Sequence, residues 1–188
     1  KVYYKYSLKT DTYLSSRGLY KAADWKNIIG TDVPPDITAD EYAMHLATQV
    51  KLSYPTAVAG AMIKNGEINL GANVPLEELA SFFDSNQSKN IIGTQPVKTW
   101  DGFKSLTTTA KAAVASFERL YQISPSDESM AVLAKIGITS SYQLAKYTKS
   151  EFLTIHGQDF PSLTEAEMAY TKSNEVYSSS LGIATSYL

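Results

Sequence analysis

Apolar positions along this chain recur at helical spacing, and hardly any stretch alternates with a period of two. Tyr42, Leu46, Ala47 and Val50 fall on one face of a segment opened by Thr38 and Glu41. Those two residues have capping-box spacing, in which hydroxyl and carboxylate each satisfy an orphan amide at a helix start. Pro55 deletes a backbone donor and clashes with the preceding turn, so the 39–63 helix is expected to kink or restart near Tyr54. The next apolar stripe is Leu76, Leu79, Ala80 and Phe83, with Pro75 suited to a first turn and Glu77 and Glu78 near the positive helix end. From Leu106 to Tyr121 the period returns, placing Leu106, Ala110, Ala113, Val114, Phe117, Leu120 and Tyr121 on one broad face.

The last third is the most tightly punctuated. Ser124 before Pro125 reads as an N-cap and N1 pair, followed by Met130, Leu133, Ala134 and Ile136, with Gly137 as the stop. Thr148 with Glu151, and Thr164 with Glu167, repeat the capping-box spacing just ahead of apolar-periodic runs. At the last helix Leu163 and Met168 take the two positions of a hydrophobic staple. Between helices, Gly30 and the Val33-Pro34-Pro35-Asp36 run form a loop, because tandem prolines withdraw donors and push the preceding residue out of α conformation. Gly66 and Gly71 mark a loop or short hairpin-like excursion, and 85–105 reads as loop with at most one turn of helix. Val2, Tyr3, Tyr4 and Tyr6 favour an extended segment by propensity, although a helix end or ordered arm is the preferred reading.

These signals predict an all-α fold, an irregular multi-helix module of short helices with a longer C-terminal helix. Residues 1–37 form a Tyr-rich arm and loop, 38–121 carry helices interrupted by the Gly/Pro loop at 85–105, and 124–188 form a compact helical subunit. That subunit is expected to pack on 39–63 and 106–121. Phe117, Leu133, Ile138, Leu144, Phe152 and Tyr170 are expected to face inward in one continuous core.

Composition narrows the function classes. A chain of 188 residues, 44% hydrophobic and 19% charged, matches a globular protein with a real core. Its net charge of −2 disfavours a dedicated binder of nucleic acid or anionic membrane. Without cysteine there is neither disulfide nor thiolate metal site. No apolar run reaches bilayer length, and the start KVYYKY, lacking Met and a signal-peptide core, reads as an internal fragment of a larger chain.

Candidate chemistry is sparse. His45 and His156 lie in separate elements without metal-ligand or triad spacing, and His156 before Gly157 suits a helix C-terminus. The acidic pairs Asp40/Glu41, Glu77/Glu78, Asp127/Glu128 and Glu165/Glu167 all fall in expected first helical turns, where the dipole favours them. A glycosidase-type pair would need two of them in one cleft, which nothing in the sequence indicates. Phosphate-cradling and nucleophile-elbow motifs are missing, and Thr107, Thr108 and Thr109 read as solvated helix surface. The expectation is no enzyme, no metal and no cofactor. Thirteen tyrosines suit helix seams and protein interfaces, since each buries a rigid ring while keeping a polar tip.

An ordered series of motifs resembles the large A-type subunits of bacterial toxin complexes and the related virulence-plasmid A proteins. The series runs Asp24-Trp25, Pro34-Pro35-Asp36, Phe82-Phe83-Asp84, Arg119-Leu120-Tyr121, Ser124-Pro125, Gly137-Ile138 with Ser140, Phe152, and then Ala169, Tyr170 and Tyr177. It covers most of residues 20–188. The resemblance implies a non-enzymatic segment of the helical shell around a translocation channel, in a homo-oligomeric assembly that delivers a toxic cargo with partner subunits. It also implies packing against other regions of the same large chain, no membrane insertion by this segment, and a secreted or bacterial cell-surface location.

Two alternatives remain. One is a free-standing protein-interaction domain. The other is a helix-hairpin-helix nucleic-acid module over LAKIGITSSYQLAKYTKSEFLTIHG, whose Gly-containing turns would present amides to phosphate. Against the latter, the second turn reads His156-Gly157-Gln158-Asp159, and 124–188 holds Lys135, Lys146, Lys149 and Lys172 against seven acids. Such a surface lacks the counterion-release contribution that drives phosphate binding, so no nucleic-acid partner is expected.

Overall fold

In the computed structural model, which describes residues 18–187, 67% of the described residues are helical and none forms a strand. The fold is all-α, as the periodicity requires. Nine α-helices follow in order among these residues: α1 (Ala22–Ile29), α2 (Ala39–Ser53), α3 (Pro55–Lys64), α4 (Leu76–Asn86), α5 (Thr108–Ile123), α6 (Asp127–Lys135), α7 (Ser141–Leu144), α8 (Lys149–His156) and α9 (Leu163–Ser186). The longest is the C-terminal one. The expectation for Val2, Tyr3, Tyr4 and Tyr6 lies outside the described residues.

The chain divides into two compact units, one comprising residues up to 65 with 76–104, the other 66–75 with 105–188. In the first, α1 packs on α2, and α3 packs on α2 and α4. Trp25 of α1 is fully buried, its indole N–H donating to the Leu19 carbonyl at 2.5 Å. Helix α2 opens with the expected capping box: the Thr38 hydroxyl accepts from the Glu41 amide at 3.2 Å, and the Glu41 carboxylate accepts from the Thr38 amide at 2.8 Å. The restart at Pro55 is also present. Tyr54, at φ −134° and ψ 50°, closes α2 onto the Val50 carbonyl and serves as the residue before the first turn of α3.

Helix α3 is buried from Thr56 to Ile63. Gly60 permits its close approach to α4, because a Cβ there would meet Phe83 Cβ at 3.1 Å and Asp84 Oδ1 at 3.3 Å. On α4, Leu79, Ala80 and Phe83 are buried as expected, but Leu76 is exposed and Phe82 is buried instead. The reason lies in 85–105, which holds two 3-10 turns, Val97–Thr99 and Phe103–Ser105, where at most one turn was expected. They bring Trp100 and Phe103 to within 6.0 and 6.2 Å of the Phe82 ring. The Asn86 amide fastens the same loop, donating to the Phe82 and Asp101 carbonyls.

In the second unit α9 packs against α5, α6, α7 and α8, so the expected association of the tail with the 106–121 helix is present. Helix α5 buries Ala110, Ala113, Val114, Phe117, Leu120 and Ile123. Its end corrects the N-cap assignment of Ser124. That residue terminates α5, its amide and hydroxyl both donating to the Leu120 carbonyl at 3.0 and 2.6 Å, and Ser126 caps α6 by accepting from the Ser129 amide. Gly137, at φ +79°, stops α6 as expected. The Ile138 amide returns to the Leu133 carbonyl and the Gly137 amide to that of Ala134, the paired bonds of a Schellman end. Thr148 and Glu151 form the expected capping box of α8. Helix α9 begins two residues earlier than its expected cap, with Ser162 accepting from the Glu165 amide. The staple fails accordingly, since the shifted start leaves Leu163 and Met168 54% and 49% exposed.

Candidate functional site

The inward-facing residues named from the sequence all lie in the second unit. Phe117, Leu133, Leu144 and Phe152 are fully buried and Ile138 is 4% exposed. Tyr170 departs from the pattern: it is half-buried, because its hydroxyl reaches the Tyr147 carbonyl at 2.9 Å where part of the ring meets solvent. Around Phe152 the rings of Tyr147, His156, Phe160 and Tyr170 lie with centroids 5.7–6.2 Å away. The short α8 can project one phenylalanine into this cluster because Thr148 and Glu151 fix its first turn.

Several of the carboxylates hold helix starts. Glu41 and Glu151 are held below the usual carboxylate range by the amides and then the hydroxyls of Thr38 and Thr148. His156 sits at the α8 C-terminus as expected, Nδ1 3.8 Å from the Asp159 carboxylate and its ring against Tyr147 and Phe152. His45 is exposed on α2. Gly157, with φ −57°, is in ordinary right-handed backbone and forms no left-handed turn.

The acidic pairs divide more finely than first-turn placement suggests. Asp40/Glu41, Glu77/Glu78 and Asp127/Glu128 do occupy first turns. Glu167 does not, and pairs with Lys149 at 3.2 Å. Glu165 accepts the hydroxyls of both Ser126 and Ser129, so one carboxylate sits at the positive ends of α6 and α9 together. That junction was missed from the sequence. Glu165 lies 39 and 36 positions from Ser126 and Ser129, and only the S-x-x-S spacing at a helix start hints at the junction.

No group of three or more His, Asp or Glu side chains that could hold a metal occurs among the described residues. No helix among them is long and apolar enough to cross a membrane. The remaining feature is the far end of α9. Every residue from Ser178 to Tyr187 is exposed, including Leu181, Ile183 and Tyr187 at 50%, 62% and 86%, and no charged residue follows Glu175. The nine helical residues from Ser178 to Ser186, at 1.5 Å each, make a bare rod about 14 Å long. In the comparisons with known proteins, no family model, curated protein or solved structure matches this chain.

Proposed function

We propose that this chain is a non-enzymatic, structural helical segment of a large bacterial toxin-complex A-type subunit. In this reading it belongs to the shell of a homo-oligomeric pore assembly that delivers a toxic cargo. The observation that carries it is the contrast along α9. Its first half is locked into α5–α8 by Phe152, Tyr170 and Glu165, whereas its last three turns are uncharged, bare and apolar in part. A helix of that length is marginal in water by itself, so an element of this kind suits a role in which further protein covers it.

The series of elements supports the same reading. The Asp24-Trp25 helix, the Pro34-Pro35 loop, the helix with Phe82 and Phe83, the Gly137 stop and the long Tyr-containing helix stand in the order on which the toxin-complex resemblance rests. Carboxylates engaged in caps, and hydroxyls engaged in helix ends, are the furniture of a scaffold.

Determining the parent reading frame tests the proposal, which expects a chain several times longer than 188 residues. Hydrogen exchange on the assembled full-length protein then expects protection of the amides of 178–187. A frame of about this length encoding a monomer, or a full-length assembly in which 178–187 exchanges as freely as in the fragment, would overturn it.

A further inference from the structure

Asn65 closes α3 at φ −80° and ψ −1°, its backbone N–H donating to the Ala61 carbonyl at 2.9 Å. Gly66 follows at φ +67°, where a Cβ would meet open space, and both residues are exposed. This is the only Asn-Gly pair in the sequence, since the other six asparagines precede Ile28, Leu70, Val74, Gln87, Ile91 and Glu175. A side chain on the following residue shields the backbone nitrogen through which an asparagine amide cyclises. Glycine leaves that nitrogen open to close approach.

A hydrogen bond restrains the pair. Asn65 Nδ2 donates to the Tyr20 hydroxyl at 3.0 Å, across 45 positions of sequence, and Tyr20 is only 2% exposed. The buried phenol therefore acts as a fixed anchor for the exposed end of α3.

We infer that Asn65 is a site of self-modification, at which the Gly66 backbone nitrogen attacks the side-chain amide and the product releases Tyr20. The Gly66 nitrogen gives its proton to solvent base and bonds to Asn65 Cγ. The Cγ–Nδ2 bond then breaks, and Nδ2 takes up a proton and leaves as ammonia. Water opens the cyclic imide at either carbonyl, so that position 65 carries aspartate or isoaspartate. Ring closure requires rotation of the Asn65 backbone away from ψ −1°, and hence opening of the last turn of α3, which helix ends undergo at low cost. The product has no side-chain donor for Tyr20, and its charge lies at the negative end of the helix dipole. Both changes weaken the same turn. Such a site is independent of the scaffold role proposed above.

Peptide mass mapping of the full chain during incubation in mildly alkaline buffer tests it, with a synthetic peptide of residues 62–68 setting the unrestrained rate. The amide-to-acid mass gain is expected at Asn65 ahead of the other asparagines, with isoaspartate among the products. Its rate should be about 10- to 100-fold below that of the peptide, the cost of opening one helix end. Tyr20→Phe, which keeps the buried ring and removes the acceptor, should speed the reaction about 2- to 10-fold. Thr38→Ala weakens the same unit through the start of α2, away from Asn65, and should leave the rate unchanged. Asn65→Asp, one of the two products, should have a lower Tm than the parent. Conversion of Asn65 more than about a thousandfold slower than in the peptide, a rate unmoved by Tyr20→Phe, an equal acceleration by Thr38→Ala, or an unchanged Tm of Asn65→Asp would each overturn the inference. The comparison with the peptide needs no variant, so a Tyr20→Phe chain that failed to fold would leave it decisive.

Discussion

Replacing Phe152 with alanine removes the ring on which the second unit is centred. The side chain is fully buried and meets four aromatic neighbours, so the void cannot be refilled by a flexible side chain from the surface. Phenylalanine-to-alanine changes in cores cost about 3–5 kcal/mol through lost transfer energy and the residual cavity. Ring–ring contacts worth about 0.5–1.5 kcal/mol beyond area burial place this site toward the upper part of that range. Against a total stability of about 5–15 kcal/mol, the loss is a large fraction. For a chain of this length it corresponds to a fall in Tm of roughly 6–20 °C. Urea unfolding followed by circular dichroism at the helical band should show the midpoint moving with little change in slope. Tyr170→Phe, which removes only the hydrogen bond to the Tyr147 carbonyl, should cost about 0.5–1.5 kcal/mol and serves as the scale. A Phe152→Ala loss of under about 1 kcal/mol would refute the reasoning, because it would mean that the cluster collapses without penalty or that Phe152 acts as an interface anchor.

Three further outcomes are expected. Gly60→Ala should destabilise the first unit by about 1–3 kcal/mol in thermal melts, since the new methyl meets the Cβ of the fully buried Phe83 and overpacking exceeds the gain in helix propensity; a stabilised variant would show that α3 and α4 can part. Partial burial holds Asp84 above the usual carboxylate range, with Lys64 opposing it. A carboxyl raised in this way favours the fold below its unfolded-state pKa and loses that contribution as pH rises through the raised value, so Asp84→Asn should be the more stable protein near neutral pH and converge with the parent in acid. For Glu41 and Glu151 the sign is reversed: their depressed pKa values stabilise the fold above the ordinary glutamate range and lose that contribution as pH falls through the depressed values. A Glu41→Gln/Glu151→Gln variant should therefore show a shallower acid limb in a pH series of melts, and an unchanged limb would show that the two boxes are not what acid breaks.

What could be read from the sequence was local. Thr38 with Glu41 and Thr148 with Glu151 are unambiguous because only one hydroxyl stands at the right offset from each glutamate. Pro55 and Gly137 act through their own backbone, so their effects need no partner. At the start of α9 the same pattern is degenerate. Ser162–Glu165 and Thr164–Glu167 both fit, and the choice is made by groups far off in sequence, Ser126 and Ser129 for Glu165 and Lys149 for Glu167. Ser124 and Ser126 flank Pro125 in the same ambiguous way, resolved by the Leu120 carbonyl, which keeps Ser124 for α5. The burial of Phe82 depends on Trp100 and Phe103, beyond any helical window. The division into two units arises only when separated segments meet, and no single stretch of sequence encodes it.

The all-round burial of α3 has a consequence for how the protein is made. Its residues from Pro55 to Ile63 include no charge, so as they leave the ribosome they form a sticky segment with no solvated side to protect it. The helix that packs against Gly60 ends at Asn86, 22 residues after Lys64. At a synthesis rate of about 5–20 residues per second, the segment waits about 1–4 s for its cover. Residues 66–75, which belong to the other unit, make up part of that interval. Folding of the amino-terminal unit is thus vectorially delayed, and any chaperone that recognises apolar segments has a defined window in which to act near Val58 and Met62.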